Sequence, residues 1–179
     1  VPFVYYGDEI GMRHLDLVSV EGGFDRTGAR TPMQWEDGKN YGFSDASQEK
    51  LYTAQDPSED APVVSQQKEE PDSLWHEIQK LAKIRRQYPA LCASGEIEFV
   101  YCEPEKYPLV YLRSDGSSKI LVALNPSGAA VSCPCPYEQG EVIYAQGKEA
   151  EIDNGVLCIP GESAAFIAVD GKGDSLENK

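Results

Sequence analysis

Basic side chains are scarce in this sequence. Only 16 Lys and Arg stand against 30 Asp and Glu in 179 residues, a formal charge of −14. Binding to nucleic-acid phosphates or to an anionic membrane needs clustered cations, so neither is expected as a partner. Histidine is scarcer still: His14 and His76 are the only two and lie far apart, which gives no support to a histidine metal site or a Ser-His-Asp triad. No apolar stretch reaches the ~20 residues that cross a bilayer, and no basic segment followed by an apolar one marks a secretory signal. Cysteine is present but unpaired in pattern. Cys92, Cys102, Cys133, Cys135 and Cys158 are odd in number and form no CxxC pair, so free thiols in a reducing, cytoplasmic compartment are expected. Hydrophobic residues at 41% and charged residues at 26% match ordinary globular composition, which rules out wholesale disorder.

The charge is unevenly spread. Residues 1–72 hold 15 acidic and 6 basic side chains, residues 73–95 hold 1 and 4, and residues 96–179 hold 14 and 6. The basic middle block also carries the clearest helical pattern. Leu74, Trp75, Ile78, Leu81, Ala82 and Arg85 recur at helical spacing. Asp72 or Ser73 can accept the orphan N–H groups of a first turn, and Pro89 disfavours helical geometry at Tyr88. A helix over Ser73–Gln87 is expected, with Trp75 in the core.

From Glu96 the pattern becomes short and extended. Ile97–Tyr101, Leu109–Arg113, Lys119–Asn125, Ala130–Cys133, Glu141–Tyr144, Val156–Ile159 and Ala164–Val169 read as strands. Turn formers such as Asp115-Gly116, Asn125-Pro126 and Asn154-Gly155 separate them. Such strands at ~8–12-residue spacing predict an antiparallel β-sandwich over 96–170, with a frayed tail at 171–179. Residues 7–70 are rich in Gly, Asp, Ser and Pro and predict a long irregular segment, of a length that is usually either functional or disordered. The chain opens on Val1-Pro2-Phe3-Val4-Tyr5-Tyr6, an apolar run without an initiator Met that reads as an internal cut in a longer protein.

Two motifs in the irregular segment bear chemistry. Val1–Gly11 runs an apolar strand into two adjacent carboxylates, Asp8 and Glu9. Arg26–Trp35 places two arginines, an amide and an indole within one short stretch, and fork-shaped donors beside an aromatic face suit polyhydroxylated ligands or a buried carboxylate. Pro2-Phe3-Val4-Tyr5-Tyr6-Gly7-Asp8-Glu9-Ile10-Gly11-Met12, Ala29-Arg30-Thr31-Pro32-Met33-Gln34-Trp35 and Asn40-Tyr41-Gly42-Phe43-Ser44 together resemble the family 13 glycoside hydrolases, the α-amylase superfamily. Arg85–Leu91 and Tyr107–Arg113 extend the likeness. The branch most resembled contains oligo-1,6-glucosidases, α-glucosidases and trehalose synthases.

The resemblance implies a mainly β chain. Its C-terminal β-sandwich follows the last strand (residues 1–6), the long loop (7–70) and the closing helix (73–88) of a (β/α)₈ barrel, with the domains divided as 1–95 and 96–170. It implies retaining cleavage of α-glucosidic bonds by carboxylates on earlier barrel strands, so this chain is expected to be non-catalytic alone, with no cofactor and no metal. Its partners would be an α-glucan or oligosaccharide substrate and the remainder of the barrel. Arg26 and Arg30 are the expected substrate-binding residues. Arg26 corresponds to an arginine that bonds the terminal glucose, although Thr27-Gly28 stands where relatives often carry Asp-Asn, and Arg30 is alternatively a loop anchor. Asp8 and Glu9 are expected to anchor the loop, with Glu9 the more inward. Gln34 and Trp35 are also expected to anchor it, and Tyr5 and Tyr6 to pack in the core or rim.

A different class, a carbohydrate-binding module, would use Tyr101, Tyr107, Tyr111, Tyr137 and Tyr144 as stacking platforms. Inter-strand packing is the better account of those rings. A third reading makes the sandwich purely structural. Limited proteolysis should cut first within residues 13–70 and spare the helix and sandwich, as mass mapping of the early fragments would show; first cuts inside 96–169 would contradict this division.

Overall fold

The computed structural model describes residues 2–17 and 26–169, so the expected tail at 171–179 lies outside the described residues. Two compact units, Val1–Ala82 and Lys83–Lys179, divide within a helix.

The first unit has little regular structure. Its 3₁₀ turns are Asp8–Ile10, Thr27–Ala29, Lys39–Gly42 and Gln48–Lys50, followed by a short helix α1 (Val64–Glu69) and the start of α2 (Leu74–Gln87). Among the described residues no strand precedes Glu96. The expected strand over residues 1–6 forms no ladder here, because a strand is defined by a hydrogen-bonded neighbour. Ile10, Met33 and Val64 form a small core, against which Met12 and Trp75 pack. Trp75 is therefore half-buried rather than enclosed, and Leu74 and Ala82 are exposed; three buried side chains cannot cover an indole. The fully buried residue of α2 is Ile84.

Helix α2 begins where the sequence indicates. The N–H of His76 donates to Ser73 Oγ at 3.4 Å, and the main-chain N–H of Trp75 donates to Gln67 Oε1 at 3.0 Å. It ends before Pro89, with Tyr88 in extended geometry. Arg85 donates to Leu91 O at 2.8 Å, placing a cation at the carbonyl end where the helix dipole favours it.

The second unit is the antiparallel sandwich. Its strands are β1 (Glu96–Tyr101), β2 (Leu109–Ser114), β3 (Lys119–Asn125), β4 (Val131–Pro134), β5 (Glu141–Gln146), β6 (Glu151–Asp153), β7 (Val156–Ile159) and β8 (Ser163–Ala168). One sheet runs β1-β2-β3-β8-β5 and the other β4-β7-β6. Alternation puts one apolar row of each sheet inside. Val110 faces Ala123, Leu112 faces Leu121, Leu121 faces Ile167, and in the smaller sheet Cys133 faces Leu157. These side chains belong to a single core. At the edge strand β1, exposed Glu98 stands opposite buried Leu112, and a charge on an edge strand discourages pairing with a foreign strand.

The outer row of the larger sheet runs Phe99–Tyr111–Val122–Phe166–Tyr144. Tyr144 lies 4.9 Å from Phe166 between ring centroids, and Tyr111 meets Phe99 at 6.4 Å. Tyr101 and Tyr137 pack on the core, and Tyr107 is exposed. Four of the five tyrosines are thus packing residues.

Asn125 ties the two sheets together. It is 0% exposed, and its amide donates to the carbonyls of Ala129 (2.9 Å), Ile159 (3.2 Å) and Pro160 (2.7 Å). Its own oxygen accepts the Ser127 N–H at 3.1 Å and hydroxyl at 2.6 Å. Replacing it with Leu strands several buried polar groups, each costing about 1–3 kcal/mol. Asn125→Leu should lower the urea-unfolding free energy by about 2–4 kcal/mol; an unchanged transition midpoint would contradict the role of this clamp.

Candidate functional site

The sequence motifs of the first unit converge on one cleft. Gly7 takes φ 93, and a Cβ there would lie 2.7 Å from Met12 Sδ, so only glycine lets the chain turn at this point. The turn then spends both neighbouring carboxylates on backbone. Asp8 Oδ2 accepts the Tyr5 N–H at 2.8 Å, and Glu9 Oε2 accepts the Gly7 N–H at 2.8 Å. Both act as loop anchors, and Glu9, the less exposed, reaches the cleft.

The Arg30–Trp35 stretch forms the facing wall. Gln34 is 1% exposed and its side-chain amide donates to Pro62 O, while its main-chain carbonyl accepts the Val64 N–H at 3.0 Å. Gln34 therefore anchors the loop and starts α1. Trp35 departs from expectation. Its backbone anchors, donating to Tyr41 O at 2.9 Å and accepting from Ser65 N at 2.9 Å. Its indole, however, is 50% exposed and lines the cleft. Tyr5 and Tyr6 likewise are not enclosed: their rings lie 4.6 Å apart and both remain exposed. The Tyr6 hydroxyl donates to Thr31 O at 3.0 Å, and partial burial pushes its phenol above the usual value.

The cleft has a volume of about 440 Å³. Tyr6, Trp35, Phe43 and Tyr52 supply aromatic walls, and Glu9 and Arg30 supply opposite charges. Arg30 thus sits where a ligand could meet it. Arg26 is exposed at the start of the Thr27–Ala29 turn and is not among the lining residues. Gly28 holds that turn against the preceding segment: Leu15 N donates to Gly28 O at 3.1 Å, and a Cβ on Gly28 would fall 1.7 Å from Leu15 O. Flat apolar faces beside a carboxylate and a guanidinium can stack a sugar ring and bond its hydroxyls.

Sequence reading missed Tyr52, which no periodicity marks, and a long-range ion pair. Arg13 grips Asp60 with both nitrogens, at 2.7 and 3.0 Å, and lies 3.4 Å from Asp56. That guanidinium holds the Asp60 carboxyl below its usual range. Among the described residues no group of three or more His, Cys, Asp or Glu side chains is placed to hold a metal ion. Nor is any helix among them long and apolar enough to cross a membrane. All five cysteines are free thiols, and burial pushes Cys133, at 3% exposure, up to about 11.

These motifs have counterparts in known proteins. Residues 1–94 match the family model described as "Alpha amylase, catalytic domain". The chain belongs to the α-amylase family. It is 26% identical to a probable oligo-1,6-glucosidase 2 of Bacillus subtilis (strain 168), over 93% of this chain and 35% of the relative. It is 32% identical to a trehalose synthase of Thermus thermophilus, over 76% of this chain and 14% of the relative. The fold matches the crystal structure of a trehalulose synthase from Pseudomonas mesoacidophila MX-45 with a TM-score of 0.76 at 21% identity, covering 94% of this chain and 35% of that one. The chain thus spans about a third or less of the length of these relatives.

Two neighbouring residues should separate by role. Gln34→Leu leaves Pro62 O without its buried donor and should cost about 1–3 kcal/mol in thermal or urea unfolding. Trp35→Ala removes a half-exposed wall and should cost less; the reverse ranking would mean that the indole holds the loop.

Proposed function

We propose that this chain is the C-terminal part of a retaining α-glucosidase or α-amylase-type glycoside hydrolase acting on α-glucans or oligosaccharides. The match of residues 1–94 to the α-amylase catalytic domain carries this reading. In such a reaction one carboxylate attacks the anomeric carbon while a carboxylic acid protonates the departing glycosidic oxygen. Water then cleaves the glycosyl-enzyme, with the second group now acting as base. Asp8 and Glu9 are spent on main-chain N–H groups, which leaves this chemistry to carboxylates on earlier barrel strands.

In this scheme residues 1–95 complete the barrel and residues 96–170 form a structural sandwich. Arg26 bonds the terminal sugar through charge-assisted hydrogen bonds, and Arg30 works from the wall of the aromatic cleft. The remainder of the barrel is the macromolecular partner. The surface it would cover includes apolar side chains: Phe3 is 94% exposed and Val4 is also open, as at interaction sites. Five free thiols support a cytoplasmic setting. The reading calls for no cofactor. A transglucosidase is the second reading, favoured by the likeness to a trehalose synthase.

The chain alone should not turn over p-nitrophenyl-α-glucoside, and turnover that persists through purification would refute the division of labour. In the full-length enzyme, Arg26→Ala should reduce kcat/KM about 10- to 100-fold, the value of one or two charge-assisted hydrogen bonds. Unaltered kinetics would remove Arg26 from the site.

A further inference from the structure

We propose that Arg13 is a positioning residue for the aromatic cleft: by compensating the buried Asp56 carboxylate, it fixes the segments that carry Trp35, Phe43 and Tyr52 on the cleft wall. This role rests on the reading that the cleft meets substrate in a glycoside hydrolase.

Asp56 is the unusual member of the network. Its side chain is only 2% exposed, and a carboxylate taken out of water needs hydrogen bonds and an opposite charge. Oδ1 accepts the Ser58 N–H at 3.0 Å, and Oδ2 lies 3.4 Å from Arg13 Nη1. The cation therefore comes from 43 residues upstream. Removing one partner of a buried pair strands the other charge, which is far more damaging than losing a surface pair.

Asp60 aims the guanidinium. Its side chain is 81% exposed, so the pair alone adds little to stability. Geometry gives it another use. Arg13 Nη1 and Nη2 meet the two Asp60 oxygens at 3.0 and 2.7 Å, and Nη2 also donates to Asp60 O at 3.2 Å. A planar fork held by both nitrogens has a fixed orientation, which keeps Nη1 beside Asp56.

From Asp56 the constraint reaches the cleft by two routes. One is the chain itself, since Tyr52 and Thr53 line the cleft only a few residues before Asp56. The other is Tyr41. Its hydroxyl donates to Asp56 O at 2.8 Å, and its main-chain carbonyl accepts the N–H groups of Trp35 (2.9 Å) and Glu36 (3.2 Å). Trp35 lines the cleft, as does Phe43 just beyond Tyr41. Without Arg13 the Asp56 carboxylate must reach water, and both routes move with it.

Trp35 reports on its own wall. Trp35 and Trp75 are the only tryptophans, so in this chain with Trp75→Phe, acrylamide quenching of fluorescence reads the pose of Trp35 whatever the reaction. Arg13→Met should increase that quenching. In the full-length enzyme it should raise KM for p-nitrophenyl-α-glucoside about three- to tenfold, with kcat changed less than about twofold. Both are measured well below each variant's thermal midpoint, so that a change in stability alone moves neither. Adding Asp56→Asn removes the stranded charge and should return quenching and KM towards the parent values. If Arg13→Met does not fold, Arg13→Lys, which keeps the charge but not the fork, should show both shifts at smaller size. Unchanged quenching, a fall in kcat at constant KM, or no rescue by Asp56→Asn would overturn the proposal. Quenching that responds as expected in a full-length protein without α-glucosidase activity would uphold the clamp and refute the functional reading instead.

Discussion

A peptide group taken out of water must find a hydrogen-bond partner, and the described residues of the first unit form no ladder and mostly short turns. Side chains do it instead. Asp8 and Glu9 cap main-chain N–H groups, Gln34 reaches Pro62 O, and Asn40 bridges two carbonyls. Gln67 joins three segments: its amide donates to Ile10 O at 2.8 Å, its side-chain oxygen accepts from Trp75 N, and its carbonyl accepts the Ser73 hydroxyl at 2.6 Å. Polar residues are therefore structural here in the way that leucines are in a core. Only after such bonds are counted can a polar group be considered for ligands.

The sandwich meets the same demand by ordinary means. Its ladders satisfy the backbone, its inner rows are apolar, and polarity enters the interior mainly through Asn125, whose bonds are all made locally. Aromatic rings that could be taken for sugar platforms are used to brace neighbouring strands. The two units thus satisfy their buried backbone by different means.

Legibility followed the same contrast. Strands bounded by Gly, Pro and Asx turns could be read almost residue by residue, and α2 declared itself through Ser73 and Pro89. Strand β6 could not be read, since Glu151–Asp153 offers one apolar residue and no period. Helix α1 was hidden for a related reason: its first N–H groups are held by Gln34 and Trp35 carbonyls some thirty residues upstream. Arg30, which lines the cleft, lies in a motif that local sequence displays. Tyr52 and the Arg13–Asp60 pair, 47 residues apart, depend on how the loop folds back, which no local pattern encodes.

The contact between Gly28 and Leu15 constrains how this loop can diverge. With the carbonyl of Leu15 occupying the space of a side chain, position 28 cannot gain even a methyl group unless His14 and Leu15 first take another path. Changes at these sites must therefore be historically contingent: a substitution harmless in one lineage becomes forbidden in another that differs only in the course of residues 14–15. Sequence drift along this wall would proceed by linked steps, and a chimaera exchanging one segment without the other would inherit the conflict.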